Sequence, residues 1–351
     1  MEKKKLWIYI IVAFMVAYAM NLLMIIGLKK NYDLTAFVNT QMMYPACGVI
    51  LGKLLCGNKE EKLPRAGYIT VLVTTAVMMA ISLCSLAFYL EPLEMNGVRV
   101  DIWNMASSSV LSIGSLIAYV LFWTCGKEKR SNAGLQRKNM KMSILMVVLF
   151  IALFFGRMIF SVYLRDLTEH TTENWDTFLS VLSDSRTWAT IAVLPFSFFL
   201  SFIAFFGEEY GWRYYLQPVM QKKMGKRPGV LVLGLVWAVW HIGVDFMYYT
   251  KETGPQQFVA QIITCVVMAV FFGFAYMMTD NIWVVFVMHY LNNNLAAVFT
   301  GGGADALQNQ VIPWSQIPIL ALSSVAFFLF ILAPVYRKMK ADPDQSATGL
   351  S

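Results

Sequence analysis

A small set of side chains with acid, base or hydrogen-bonding chemistry stands inside strongly apolar stretches: Arg157, Glu208, Glu209, Arg213, His241, Asp245, His289 and Asn293, with Asn292 and Asn294 beside the last. Ionisable groups in such surroundings are costly in a bilayer and are functional candidates by default. Glu209 and Arg213 are an i, i+4 pair, which puts carboxylate and guanidinium on one helix face where they neutralise each other. Glu208 is turned ~100° from Glu209 on a helix, so its carboxylate faces something else. An ion pair fastening helices is the plain reading of one Glu and one Arg; two adjacent acids in an apolar run shift the balance to function. His241 follows Trp237-Ala238-Val239-Trp240, with Asp245 four residues on, where a carboxylate can orient the ring. Alone, such a histidine is more often an interhelical hydrogen-bonder than a catalyst. His289 and Asn293, again at i, i+4, offer imidazole and carboxamide as donors for a developing oxyanion; helix fastening explains that pair equally well by itself.

Together the groups suit addition of water to an amide. Glu208 takes a proton from water, His241 holds that water, and His289 and Asn293 stabilise the tetrahedral oxyanion. None of these side chains is an obvious covalent nucleophile. Depth supports convergence, because Glu208 lies 14 residues before Lys222 and His241 lies 14 residues after Arg227. On two helices joined by that loop, both groups sit ~20 Å along their axes, with His289 and Asn293 ~12 and ~18 Å along a helix starting at Asn281.

The elements that hold these groups must be membrane helices. The chain has 351 residues, 58% hydrophobic and 14% charged, against about 25% charged in ordinary soluble domains. A soluble single domain is excluded. Apolar segments able to cross ~30 Å of hydrocarbon lie near 6–28, 35–56, 68–90, 103–124, 142–163, 188–217, 229–248, 257–279, 282–299 and 317–336. The expectation is an all-α polytopic bundle of about ten spans. Of the 28 Lys and Arg, twenty fall on the side of the Lys3-Lys4-Lys5 tail, six on the other, and Arg157 and Arg213 within spans. Basic residues gather on cytoplasmic loops, so both termini are placed in the cytoplasm. The net charge of +7 thus reports topology, and no nucleic-acid partner is expected.

The external stretch 165–186 carries Trp175, Phe178, Leu179 and Leu182 at helical spacing and predicts a surface amphipathic helix. The tail after Tyr336 reads as disordered. Five cysteines in or near apolar stretches, with no CxxC pair, support neither a disulfide framework nor a thiolate zinc site. Two histidines and a carboxylate can bind zinc, but HExxH is missing and no cofactor is expected.

The three clusters match a three-part signature, EExxxR, FxxxH and HxxxN, in order. Glu208, Glu209 and Arg213 meet the first, His241 the second with Trp237 in place of the usual Phe, and His289 and Asn293 the third. In this the chain resembles the CPBP family of CAAX proteases and bacteriocin-processing or self-immunity proteins, also called Abi, over roughly 200–299. The resemblance implies a helical intramembrane endopeptidase that is glutamate-dependent and metal-free. Glu208 is then the catalytic glutamate, His241 the water-holding histidine, His289 and Asn293 the oxyanion pair, with Glu209 and Arg213 supporting. It implies N-terminal helices over 1–187, a catalytic core over 188–299, and a last helix and tail over 300–351. It implies a peptide or membrane-protein substrate, cut near the cytoplasmic side, and a multi-pass protein in the lipid bilayer of a bacterial cell membrane. Competing readings are a transporter or self-immunity protein using the cluster for binding, and a scaffold whose polar groups only fasten helices.

Overall fold

The computed structural model describes residues 2–58, 60–95, 98–299 and 307–337. The tail expected to be disordered lies outside them, apart from Arg337. Long uninterrupted apolar runs with few breakers fold as α1 (Glu2–Lys29), α4 (Arg65–Ala87), α5 (Ile102–Thr124), α7 (Met140–Glu169), α9 (Ser185–Met224), α12 (Gly254–Thr279) and α13 (Ile282–Phe299), all long and apolar enough to cross a membrane. A further span is bent by 42° between α10 (Lys226–Trp240) and α11 (Ile242–Tyr249). The chain is an all-α polytopic membrane bundle.

Two of the ten expected spans are broken helices, so seven helices, or eight with the bent pair, meet the crossing criterion among the described residues. The stretch 35–56 divides into α2 (Thr35–Gln41) and α3 (Tyr44–Cys56). Pro45 supplies no backbone N–H to the preceding turn, and the helix stops and restarts at Met42-Met43. The stretch 317–336 forms α14 (Gln316–Ser323), α15 (Val325–Phe328) and 3₁₀ turns. Its breaks fall at Ser323-Ser324, where Ser323 Oγ bonds the Leu320 carbonyl, and before Pro334.

The stretch 165–186, expected to be external, contains the helix α8 (Glu173–Ser183), whose Phe178 is buried against Phe299. A short antiparallel hairpin, β1 (Leu93–Met95) with β2 (Val98–Val100), precedes α5. The basic loops meet on one face of the bundle. There Lys53 Nζ bonds the Asn132 carbonyl at 2.9 Å, Lys226 Nζ bonds that of Val335 at 2.9 Å, and Lys138 pairs with Asp280. On the opposite face Gln308 bonds Thr35 and Tyr248, and Gln310 N–H bonds the Tyr249 carbonyl.

The broken α2–α3 corner packs on α9 through glycine. A Cβ on Gly207 would stand 2.3 Å from the Met42 carbonyl oxygen, and one on Gly211 2.2 Å from Pro45 Cβ. These glycines, four apart, straddle Glu208 and Glu209, a small-xxx-small close approach. Gly207→Ala therefore lowers stability by about 1–3 kcal/mol, the cost of overpacking against backbone, read as a lower Tm in detergent. Gly156→Ala, where a Cβ meets nothing within 4 Å, leaves Tm unchanged or slightly raised.

Candidate active site

Glu208, His241, His289 and Asn293 line one chamber of about 190 Å³ together with Gln41, Trp237, Asn292 and Phe272. At ~30 Å³ per molecule, that volume holds about six waters. Glu208 comes from the middle of α9, immediately before a π turn over Tyr210–Leu216. The widened turn makes room for the ring of Pro218, which would otherwise clash with the preceding turn. Glu208 Oε2 accepts the indole N–H of Trp237 at 2.7 Å and that of Trp212 at 3.3 Å. The carboxylate is 2% exposed, and among the described residues Oε1 has no hydrogen-bond partner, so it is the oxygen available to the chamber.

Glu209 turns away from Glu208 as helical geometry requires. Its Oε1 accepts from Arg213 Nη1 at 2.8 Å and from His289 Nδ1 at 2.7 Å. All three are buried, and the Arg213 guanidinium lies over the rings of Trp237 at 4.1 Å and Phe272 at 5.1 Å. Because a carboxylate only accepts, His289 Nδ1 carries a proton and its Nε2 is the remaining nitrogen. Asn292 Nδ2 donates to Asn293 Oδ1 at 3.1 Å, which leaves the Asn293 NH₂ as the donor facing outward from that pair.

His241 stands at the bend between α10 and α11. Its Nδ1 lies 2.8 Å from the Trp237 carbonyl; a carbonyl cannot donate, so Nδ1–H donates and neutral Nε2 is an acceptor. The possible role of Asp245 in orienting this ring is not realised. Asp245 is fully buried and accepts from Gln257 Nε2 at 3.3 Å; its N–H still bonds the His241 carbonyl at 2.8 Å, but the His241 ring turns back to the Trp237 carbonyl.

Residues 186–295 match the family of Rce1-like type II CAAX prenyl endopeptidases. In this stretch the chain is similar to the CPBP/CAAX-protease family. No curated protein and no solved structure matches the chain. The matched stretch contains α9 to most of α13, including every residue of the three-part signature.

Sequence reasoning missed three contributors to the chamber. Trp237 entered as an aromatic standing in for Phe, yet its N–H is the closest donor to Glu208 and its ring lies 5.5 Å from His289 and 6.0 Å from His241. Trp212, i+4 from Glu208, was legible by spacing alone. Gln41, on α2 outside the matched domain, donates to the Trp240 carbonyl at 3.0 Å and borders the chamber; no spacing links it to the motifs. Arg157 stays outside the site. Its guanidinium lies over Phe154 and Phe327, and among the described residues it pairs with neither Glu208 nor Glu209.

Proposed function

We propose that the chain is an intramembrane endopeptidase that hydrolyses a peptide bond with water activated by Glu208. The observation that carries this is the convergence on Trp237: one indole binds Glu208 and stands between two imidazoles in a chamber large enough for water. A water in that chamber gives one O–H to Glu208 Oε1 and the other to His241 Nε2, and turns a lone pair towards the scissile carbonyl carbon. As the C–O bond forms, its proton passes to Glu208, and the carbonyl π electrons move to oxygen. That oxyanion accepts from Asn293 NH₂ and from His289 Nε2–H when the imidazole carries both protons. Before attack Glu208 and Glu209 as carboxylates balance Arg213 and His289 as cations, and after it the oxyanion takes over the charge of the now protonated Glu208, so the buried set stays neutral. Collapse breaks the C–N bond, and Glu208 returns its proton to the leaving amine.

Glu209 and Arg213 hold His289 in place, and a bacterial cell membrane is the proposed location. The test is peptide-release mass spectrometry on membranes carrying the wild type or Glu208→Gln. New peptide termini appear with the wild type only; identical products from both overturn the assignment, and transport that persists without peptidase activity supports the transporter reading instead.

A metal has no part in this mechanism. Among the described residues no group of three or more His, Cys, Asp or Glu is placed to hold a metal ion. Hydrolysis is expected to keep its rate after dialysis against a strong chelator, and a loss restored by zinc would contradict this.

A further inference from the structure

The chamber is closed towards one face of the bundle and continues towards the other. On the closed side, Arg213 is fully buried over Trp237 and Phe272. One turn beyond it, Gln217 is 1% exposed, and the Tyr336 hydroxyl, bonded to the Val270 carbonyl, packs against Gly273. This is the face of Lys222, Lys223, Lys226 and Arg227. In the other direction the lining passes from Phe272 through Cys265, Gln261 and Gln257 on α12 to Tyr249 and Gln310, next to the loops on the face poor in basic residues.

The α12 stripe at positions 257, 261, 265 and 272 is ~22 Å long at 1.5 Å per residue. A strand at ~3.3 Å per residue would lay about six or seven residues along it. Its outer half is amide-rich and uncharged, and side-chain amides both donate to and accept from a peptide main chain without selecting for charge.

We propose that the scissile segment reaches Glu208 from the face poor in lysine and arginine, the non-cytoplasmic side by the charge count, lying extended along α12. The substrates are then exported peptides or outward-facing segments of membrane proteins, not cytoplasmic chain ends, and the cut falls on the opposite side of the membrane from the cytoplasmic one expected from sequence. The proposal takes its chemistry from the peptidase reading, but access is measured without hydrolysis, so the two fail separately.

The test uses the full chain in intact cells, with all five native cysteines, Cys47, Cys56, Cys84, Cys125 and Cys265, replaced by alanine so that the introduced cysteine is the reporter. Gln261→Cys, or Gln257→Cys if the first does not accumulate, reports on the chamber, and Lys222→Cys on the basic face. Each is exposed to a membrane-impermeant maleimide, and modification is read as a mass shift. The chamber cysteine is expected to react at least tenfold faster than Lys222→Cys in intact cells, and Lys222→Cys to react once the cells are opened. A chamber cysteine that reacts only in opened cells, or in neither condition, overturns the proposal.

Discussion

Glu208→Gln is expected to lower kcat by about three orders of magnitude while the protein folds as before. Removing a general base costs about 10²–10⁴-fold, and here the same group also returns the proton to the leaving amine, so both halves of the reaction lose it. The fold survives because the carboxamide keeps a carbonyl oxygen for the indole N–H groups of Trp212 and Trp237, which bind only one carboxylate oxygen. The check is steady-state peptide release by detergent-purified protein alongside its thermal unfolding curve. Unchanged Tm with activity lost is the expected pair of results; retained kcat would remove Glu208 from the chemistry.

Arg213→Met is expected to damage stability more than any other single change in the site. Glu209 would be left as a buried carboxylate facing only His289, and breaking a buried ion pair from one side costs about 3–5 kcal/mol. The thioether side chain keeps contact with Trp237 and Phe272, so the loss reports the charge rather than a cavity. Glu209→Gln combined with Arg213→Met removes both charges and is expected to recover much of that loss, since the cost lies in the unpaired ion. The double-mutant cycle in Tm measures this; additive losses would show that the pair is not coupled. Activity is expected to stay low in the double variant, where His289 loses the carboxylate that fixes its ring.

The sequence made the membrane class, most of the helices and the signature residues legible for definite physical reasons. Apolar runs of membrane length are rare by chance, and i, i+4 spacing places Glu209 beside Arg213 without tertiary information. Equal distances from the Lys222–Arg227 loop placed Glu208 and His241 in one layer, and both line the same chamber. Hydropathy failed at 35–56 and 317–336, since it counts apolar residues and does not register the breaks at Met42-Met43, before Pro45, and at Ser323-Ser324. The same break brings Gln41 to the chamber and seats Met42 on Gly207, a long-range contact with no local signature. Asp245 misled because spacing does not fix side-chain direction: the turn from His241 to Asp245 is intact, yet the ring turns back to the Trp237 carbonyl and the carboxylate to Gln257. Trp237 was legible as an aromatic step, but its hydrogen bond to Glu208 depends on how α9 and α10 cross.

The most direct test of the account is a cryo-EM structure of the Glu208→Gln protein with an uncleaved peptide substrate trapped in it. The account predicts the scissile carbonyl inside the chamber, its oxygen within hydrogen-bond distance of His289 Nε2 and the Asn293 carboxamide, and its carbon open to a water held by His241. A peptide bound with its scissile bond away from those three side chains would contradict it.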